Sequence, residues 1–166
     1  MKFFLFFLSV GFLFVLVQTT FLHLLPGPLV PDMILVLCVY WGLHRPTVGA
    51  VLGSFILGYT VDVVSSPMLG VNAFAMSLVF LGTYLTSRSI WVHNPLLSAA
   101  AVFFASWVKV AALSLVWALF TSTDGLWMGA VKYIFFEALL AAILAPWLFS
   151  LLRRGQSYLE KVRVPL

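Results

Sequence analysis

Two side chains of opposite charge stand inside long apolar stretches of this sequence. Lys109 lies about 14 residues, or ~21 Å, from the start of one predicted helix, and Glu137 lies about 11 residues, or ~16 Å, from the start of the next. Both therefore reach the middle of a membrane, where a lone charge costs at least ~2.5–3.5 kcal/mol. We predict an ion pair between Lys109 and Glu137. The alternative, a proton or ion relay, would need further carboxylates or histidines, and no such chain follows.

Two aspartates stand at the ends of shorter apolar segments. Asp32 follows Pro31 at a predicted helix start, where the helix dipole favours a negative charge. Asp62 stands at the predicted end of the next helix, where the dipole disfavours it, so that it either caps the following turn, pairs with Lys132 or contacts a partner. We expect Asp32, Asp62 and Asn72 to lie together on the outer rim as candidate partner-binding residues.

Small residues recur along the segment between these aspartates. Gly49 and Gly53 have the GxxxG spacing, and Ser54 and Gly58 repeat the small-xxx-small pattern, which lets two helix backbones approach closely. The pattern fits either packing within the chain or a docking face for a partner's helix. Gly49, Gly53 and Gly58 are therefore added to the candidate partner-binding residues.

The sequence contains none of the familiar catalytic or metal-binding motifs. His23, His44 and His93 stand singly, and Cys38 is the single cysteine, inside an apolar run. HExxH, a cysteine pair, a G-x-S-x-G elbow and a P-loop are all missing. We therefore expect a protein that is not an enzyme and that needs no metal or cofactor.

The composition is that of a membrane protein. Of the 166 residues, 63% are hydrophobic and 8% are charged, against about 25% charged in soluble domains. The apolar stretches are continuous, which indicates helices and excludes the alternating pattern of a membrane β-barrel. The net charge of +4 comes from residues at segment ends and does not indicate nucleic-acid binding. The predicted class is an all-α polytopic membrane protein.

Six apolar segments predict six transmembrane helices in one bundle. Their approximate bounds are 3–24, 32–43, 47–61, 69–86, 95–120 and 126–152, and a short basic tail follows at 153–166. The second and third are short for a span of ~20 residues. They form either a compact hairpin or a funnel that opens to the outer side. The tail either anchors the last helix at the lipid headgroups or docks a cytoplasmic protein.

The basic residues predict the orientation. The loops at 23–31, 62–68 and 121–125 contain no lysine or arginine. Because cytoplasmic loops are enriched in basic residues, we expect both termini in the cytoplasm. The residues on that side are Lys2, Arg45, Arg88, Arg153, Arg154, Lys161 and Arg163.

An ordered series of turn-forming and small residues runs from 31 to 73. It consists of Pro31-Asp32, Gly42-Leu43-x-Arg45, Gly49-x-x-x-Gly53, Gly58-x-x-x-Asp62 and Ser65-x-x-x-Leu69-Gly70-x-Asn72-Ala73. This order resembles that of the MreD family of rod-shape-determining proteins. The length, the six apolar segments and the basic tail agree with the family over the whole chain.

The resemblance implies a multi-pass protein of the bacterial inner membrane. It implies a non-enzymatic scaffold of the cell-elongation complex, which helps to maintain rod shape by organising peptidoglycan synthesis. The implied direct partner is MreC, a single-span protein with a periplasmic domain. MreB and RodA, the latter with its penicillin-binding transpeptidase, are implied in the same complex. The implied fold is similar to the six-helix S components of energy-coupling-factor transporters.

That fold likeness also supplies an alternative, a vitamin-binding S component. Such proteins dock their transporter through small, AxxxA-like residues on the first helix. Here no alanine precedes Ala50, and the first segment is dominated by phenylalanine and leucine. We therefore favour the scaffold.

Overall fold

The described part of the chain is entirely helical in its regular structure. A computed structural model describes residues 2–24, 31–44, 46–65, 68–88, 95–120 and 127–161. These residues form six helices in the predicted order, which agrees with the all-α prediction. The helices are α1 (Lys2–Leu24), α2 (Met33–His44), α3 (Val48–Ser65), α4 (Val71–Ser87), α5 (Pro95–Phe120) and α6 (Trp127–Lys161).

Two helices are longer than the sequence predicted. The helix α3 has 18 residues rather than ending at 61, because Asp62 belongs to its last turns instead of the following loop. The helix α6 continues to Lys161, far beyond the predicted end at 152. The first basic residues of the predicted tail, Arg153 and Arg154, are therefore helical and do not begin a separate tail. Since residues 153–161 contain no proline, nothing in the backbone stops the helix there.

The short helix α2 is the centre of the bundle. Its residues from Ile34 to Gly42 are all buried, and α1, α3, α4, α5 and α6 all pack against it. Around it, α1 packs on α3, α3 on α4, α4 on α5, and α5 on α6. A helix that is apolar on every side is suited to this enclosed position.

Hydroxyl groups on the helices donate hydrogen bonds to the backbone of the preceding turn. Ser54 donates to the carbonyl oxygen of Ala50 at 2.9 Å, and Thr83 donates to that of Val79 at 2.7 Å. Thr60, which is half-buried, makes the same bond to Ile56 at 2.8 Å. Each bond gives the hydroxyl proton an acceptor within the same helix, as an apolar environment requires.

Three helices are long and apolar enough to cross a membrane. They contain the spans Val48–Ser65, Leu96–Val116 and Phe135–Ser157. The remaining apolar helical stretches, Phe4–Thr20, Met33–His44 and Val71–Ser87, are shorter among the residues that the structure describes. The chain is therefore a membrane protein with transmembrane helices.

The glycines of α3 face other helices of the same chain. A Cβ on Gly53 would lie 2.5 Å from the Trp41 ring of α2, and one on Gly49 would lie 3.5 Å from Phe4 of α1. A Cβ on Gly58 would lie 2.7 Å from both the Cα of Ala73 and the carbonyl oxygen of the residue before it. The geometry corrects the expectation of a docking face: internal helix packing already occupies the space beside these glycines.

We predict that Gly58→Ala destabilises the fold, because the added methyl group meets backbone atoms that cannot rotate away. The expected loss is about 1–3 kcal/mol of unfolding free energy. Gly82→Ala on α4 is the matched control, since no heavy atom lies within 4 Å of its Cβ position. It should leave stability unchanged or raise it by about 0.5–1 kcal/mol. Thermal unfolding of the purified variants in detergent makes the comparison, and equal melting temperatures would contradict the close α3–α4 contact.

Candidate functional site

The helix α2 begins inside the bundle rather than at its edge. Its last residue, His44, lies beside Arg153 near the end of the bundle where α1 begins. We call this the basic end, because it also holds Arg88 and Arg154. Twelve residues rise only ~18 Å. The first turn of α2 therefore lies at about the middle of the bundle.

Asp32 caps this internal helix start. Its Oδ1 accepts a hydrogen bond from the backbone N–H of Leu35 at 2.9 Å, in the usual geometry of a helix N-cap. The side chain is 5% exposed. Asp32 is thus a buried residue at mid-depth, and the expectation that it lies on the outer rim is wrong. The reason is the length of α2, which is too short to reach both ends of the bundle.

Lys109 neutralises the charge of this aspartate. The Nζ of Lys109 forms an ion pair and hydrogen bond with the Oδ2 of Asp32, so both oxygens of the cap have partners. The lysine side chain is 17% exposed, and its position on α5 is ~21 Å from the helix start. The contact joins the start of the central helix to the middle of α5.

Glu137 completes a group of three charges. Its Oε1 lies 4.0 Å from the Nζ of Lys109, and its side chain is 34% exposed. The predicted Lys109–Glu137 contact is thus present, but it is the longer of two contacts made by the lysine. We call Asp32, Lys109 and Glu137 the charge cluster; it links α2, α5 and α6. Sequence reasoning missed the Asp32 partner, although the shortness of the second apolar segment was a signal for it.

Asp62 holds the start of α4. Its two carboxylate oxygens accept the backbone N–H groups of Gly70 at 3.0 Å, Asn72 at 3.1 Å and Ala73 at 3.1 Å. The side-chain Nδ2 of Asn72 adds a fourth bond at 2.9 Å. Gly70 has φ 92°, a left-handed conformation that favours glycine and turns the chain into α4.

This arrangement explains why Asp62 is fully buried. The first N–H groups of a helix have no partner inside the helix, and a carboxylate there also benefits from the positive end of the dipole. Of the alternatives raised by the sequence, the structure shows capping of the next helix. Asn72 participates in the same cap. The alternative, a pairing of Asp62 with Lys132, involves a lysine side chain that lies outside the described residues.

A second polar group ties α2 to α6 at the basic end. The Tyr40 hydroxyl donates to the Oε1 of Gln156 at 2.8 Å, and the Tyr40 ring stacks on His44 with centroids 4.4 Å apart. Arg153 can only donate, so its contact of 3.2 Å assigns the Nε2 of His44 as an acceptor. The Nδ1–H then donates to the Tyr40 carbonyl oxygen at 3.2 Å. Sequence reasoning missed this group, because it treated His44 as a single histidine and residues from 153 as a tail.

These three polar groups connect helices of the bundle to one another. The charge cluster joins α2, α5 and α6, the Asp62 cap joins α3 and α4, and the Tyr40–His44 group joins α2 and α6 a second time. Among the described residues, no group of three or more His, Cys, Asp or Glu side chains is placed to hold a metal ion. Of the predicted site residues, Asp62 and Asn72 lie together in the α4 cap. Lys109 and Glu137 also lie together, and Asp32 is with them in the charge cluster rather than with Asp62.

We predict that Asp62→Ala destabilises the protein much more than Asn72→Ala. The first change leaves three backbone N–H groups without their charged acceptor, whereas the second removes one bond and leaves those three in place. The expected losses of unfolding free energy are at least ~3 kcal/mol for Asp62→Ala and about 1 kcal/mol for Asn72→Ala. Thermal unfolding in detergent measures both, and similar melting temperatures for the two variants would argue against the cap.

We predict strong coupling between Asp32 and Lys109. Lys109→Met should cost about 3–5 kcal/mol, because it leaves a buried carboxylate unpaired. Asp32→Asn keeps a good N-cap and removes only the charge. The double variant should lose at least ~1 kcal/mol less than the sum of the singles. Glu137→Gln is the matched control and should lower stability least. A double-mutant cycle by denaturant unfolding tests this, and additive losses would rule out the pairing.

A sequence model of the family described as rod shape-determining protein MreD matches residues 1–155. No curated protein and no solved structure matches the chain. The family match extends from the first residue to Gly155, six residues before the end of α6, and so includes the charge cluster, the Asp62 cap and the basic end. The chain therefore belongs to the MreD family of rod shape-determining proteins.

Proposed function

We propose that this protein is a non-enzymatic scaffold of the bacterial cell-elongation complex and binds MreC directly. Family membership supports a membrane protein that determines rod shape. The observation that carries the scaffold proposal is the use of the buried polar groups. Asp32, Lys109 and Asp62 all hold helices together. Such a rigid bundle is suited to presenting a surface to another membrane protein.

The proposal includes six spans in the inner membrane, with both termini in the cytoplasm. Three helices are long enough to cross alone. The short central helix α2 is enclosed by its neighbours, and shelter of this kind supports a segment shorter than the bilayer. Arg88, Arg153 and Arg154 lie at the basic end, which fits a cytoplasmic side. The S-component-like arrangement of the helices belongs to the same proposal.

The docking surface must differ from the one expected at first. Gly53 and Gly58 pack against α2 and α4, and Asp32 and Asp62 are buried in contacts within the chain. In this proposal, these residues stabilise the bundle to which MreC binds. Their effect on MreC binding is therefore indirect. MreB and RodA with its transpeptidase are proposed in the same complex, at surfaces that the bundle leaves exposed to the lipid bilayer or the cytoplasm.

We predict that depletion of this protein in its native bacterium converts rods into round cells. A tagged copy of the wild type should restore rods and co-purify MreC from detergent-solubilised membranes. Asp62→Ala should fail in both assays with a lowered protein level, because it unfolds the start of α4. Thr60→Val is the matched control, since Thr60 bonds only within its own helix. Cell shape by microscopy and MreC by immunoblot are the measurements.

Two outcomes would reject the scaffold. Cells that remain rods after depletion would exclude a role in shape. Co-purification of an ATPase-coupled transporter subunit in place of MreC would support the vitamin-binding S component instead.

A further inference from the structure

The ring of helices around α2 is open on one side. Each neighbouring pair from α1–α3 to α5–α6 packs closely, but no comparable packing joins α1 to α6 among the described residues. These two helices meet near the basic end, where a Cβ on Gly155 would lie 2.8 Å from the Phe6 ring. We call the space between their remaining lengths the α1–α6 opening.

Glu137 lies on the side of α6 that faces this opening. It precedes Gly155 by 18 residues, which is about five turns at 3.6 residues per turn, so both occupy the same side of the helix. Gly155 marks that side as the one nearest α1. Phe135, by contrast, contacts Phe103 of α5, with ring centroids 6.1 Å apart. Glu137, with 34% of its side chain exposed, therefore stands on the side of α6 that borders the α1–α6 opening.

The charge cluster has one negative charge too many for an apolar environment. When both carboxyl groups are ionised, Asp32 and Glu137 carry two negative charges, and Lys109 carries one positive charge. The closer contact of Lys109 is with Asp32. Its Nζ lies 4.0 Å from the Oε1 of Glu137. Glu137 lies about 10 residues, or ~15 Å, from the start of α6, well away from the helix ends. An ionised carboxylate at such depth is costly without a positive partner, so the ionised form of Glu137 favours a cation beside it.

We propose that the α1–α6 opening receives a membrane-inserted segment of a protein partner, and that a lysine or arginine of this segment pairs with Glu137. The inference rests on the proposed scaffold function and extends it to a surface and a recognition chemistry. A lipid fits the opening less well. Its acyl chain cannot neutralise a carboxylate, and its amine headgroup stays at the membrane surface.

The test uses the full chain co-expressed with MreC in cells. A photo-activatable residue replaces Leu140, one turn from Glu137, or Phe55 on the exposed side of α3 as the matched control. Crosslinks to the membrane-inserted part of MreC are expected from position 140 and not from position 55. Glu137→Gln should lower the crosslink yield and the amount of co-purified MreC about thirtyfold, as for other buried charge pairs at interfaces.

A charge exchange then tests the pairing itself. Glu137→Lys should abolish binding, and changing the basic residue of the crosslinked segment to glutamate should restore it. The melting temperature of Glu137→Gln is measured alongside and should stay near that of the wild type, because Lys109 keeps its contact with Asp32.

The outcomes separate this inference from the scaffold function. Full MreC binding by Glu137→Gln, or crosslinks from position 140 to lipid alone, would overturn the pairing and leave the scaffold standing. Failure of the wild-type chain to bind MreC would overturn both.

Discussion

The contact between Asp32 and Lys109 is the constraint on which the rest of the bundle depends. A helix of 12 residues cannot extend through the bundle, so α2 starts in the apolar middle. Its free N–H groups and its capping carboxylate would be costly there without compensation. The cap bond to Leu35 and the ion pair with Lys109 remove that cost together. The remaining helices can then pack around α2 on every side.

The same physical rule explains the other buried polar groups. Asp62 is placed in the last turns of α3 but satisfies the start of α4, and the close approach at Gly58 makes this geometry attainable. The hydroxyl of Ser54 bonds within its own helix. In an apolar surrounding, each polar group needs a partner from the protein, and these partners determine how the helices are placed relative to one another.

This arrangement is consistent with a protein that works by assembly. A rigid bundle held by internal ion pairs and caps can present one surface to a partner without rearranging. Glu137 differs from the other buried charges because it is partly exposed and only distantly paired. It stands beside the one place among the described residues where the ring of helices is not closed by packing. The structure therefore distinguishes residues that hold the bundle from a residue that is left available.

The sequence by itself determined the class, the order of the six helices among the described residues, and the positions of Lys109 and Glu137 well inside their helices. These properties follow from apolar run lengths and from the rise per residue, which are local. It also indicated that Asp62 needs a partner, because the helix dipole disfavours an acid at that position, and capping of the next turn was one of three alternatives. The family likeness was readable from the spacing of residues 31–73, and the match over residues 1–155 agrees with it.

Only the tertiary structure decided which other residues these side chains contact. Asp32 lies in the middle of the bundle and not at the predicted rim, because the depth of α2 is set by its contacts with five other helices. The small-residue pattern of α3 is the same for internal packing and for docking, and only the positions of Trp41 and Ala73 separate the two. The extension of α6 and its bond from Gln156 to Tyr40 likewise join residues far apart in sequence. Hydropathy and spacing describe one helix at a time, whereas partner choice depends on how several helices pack in three dimensions.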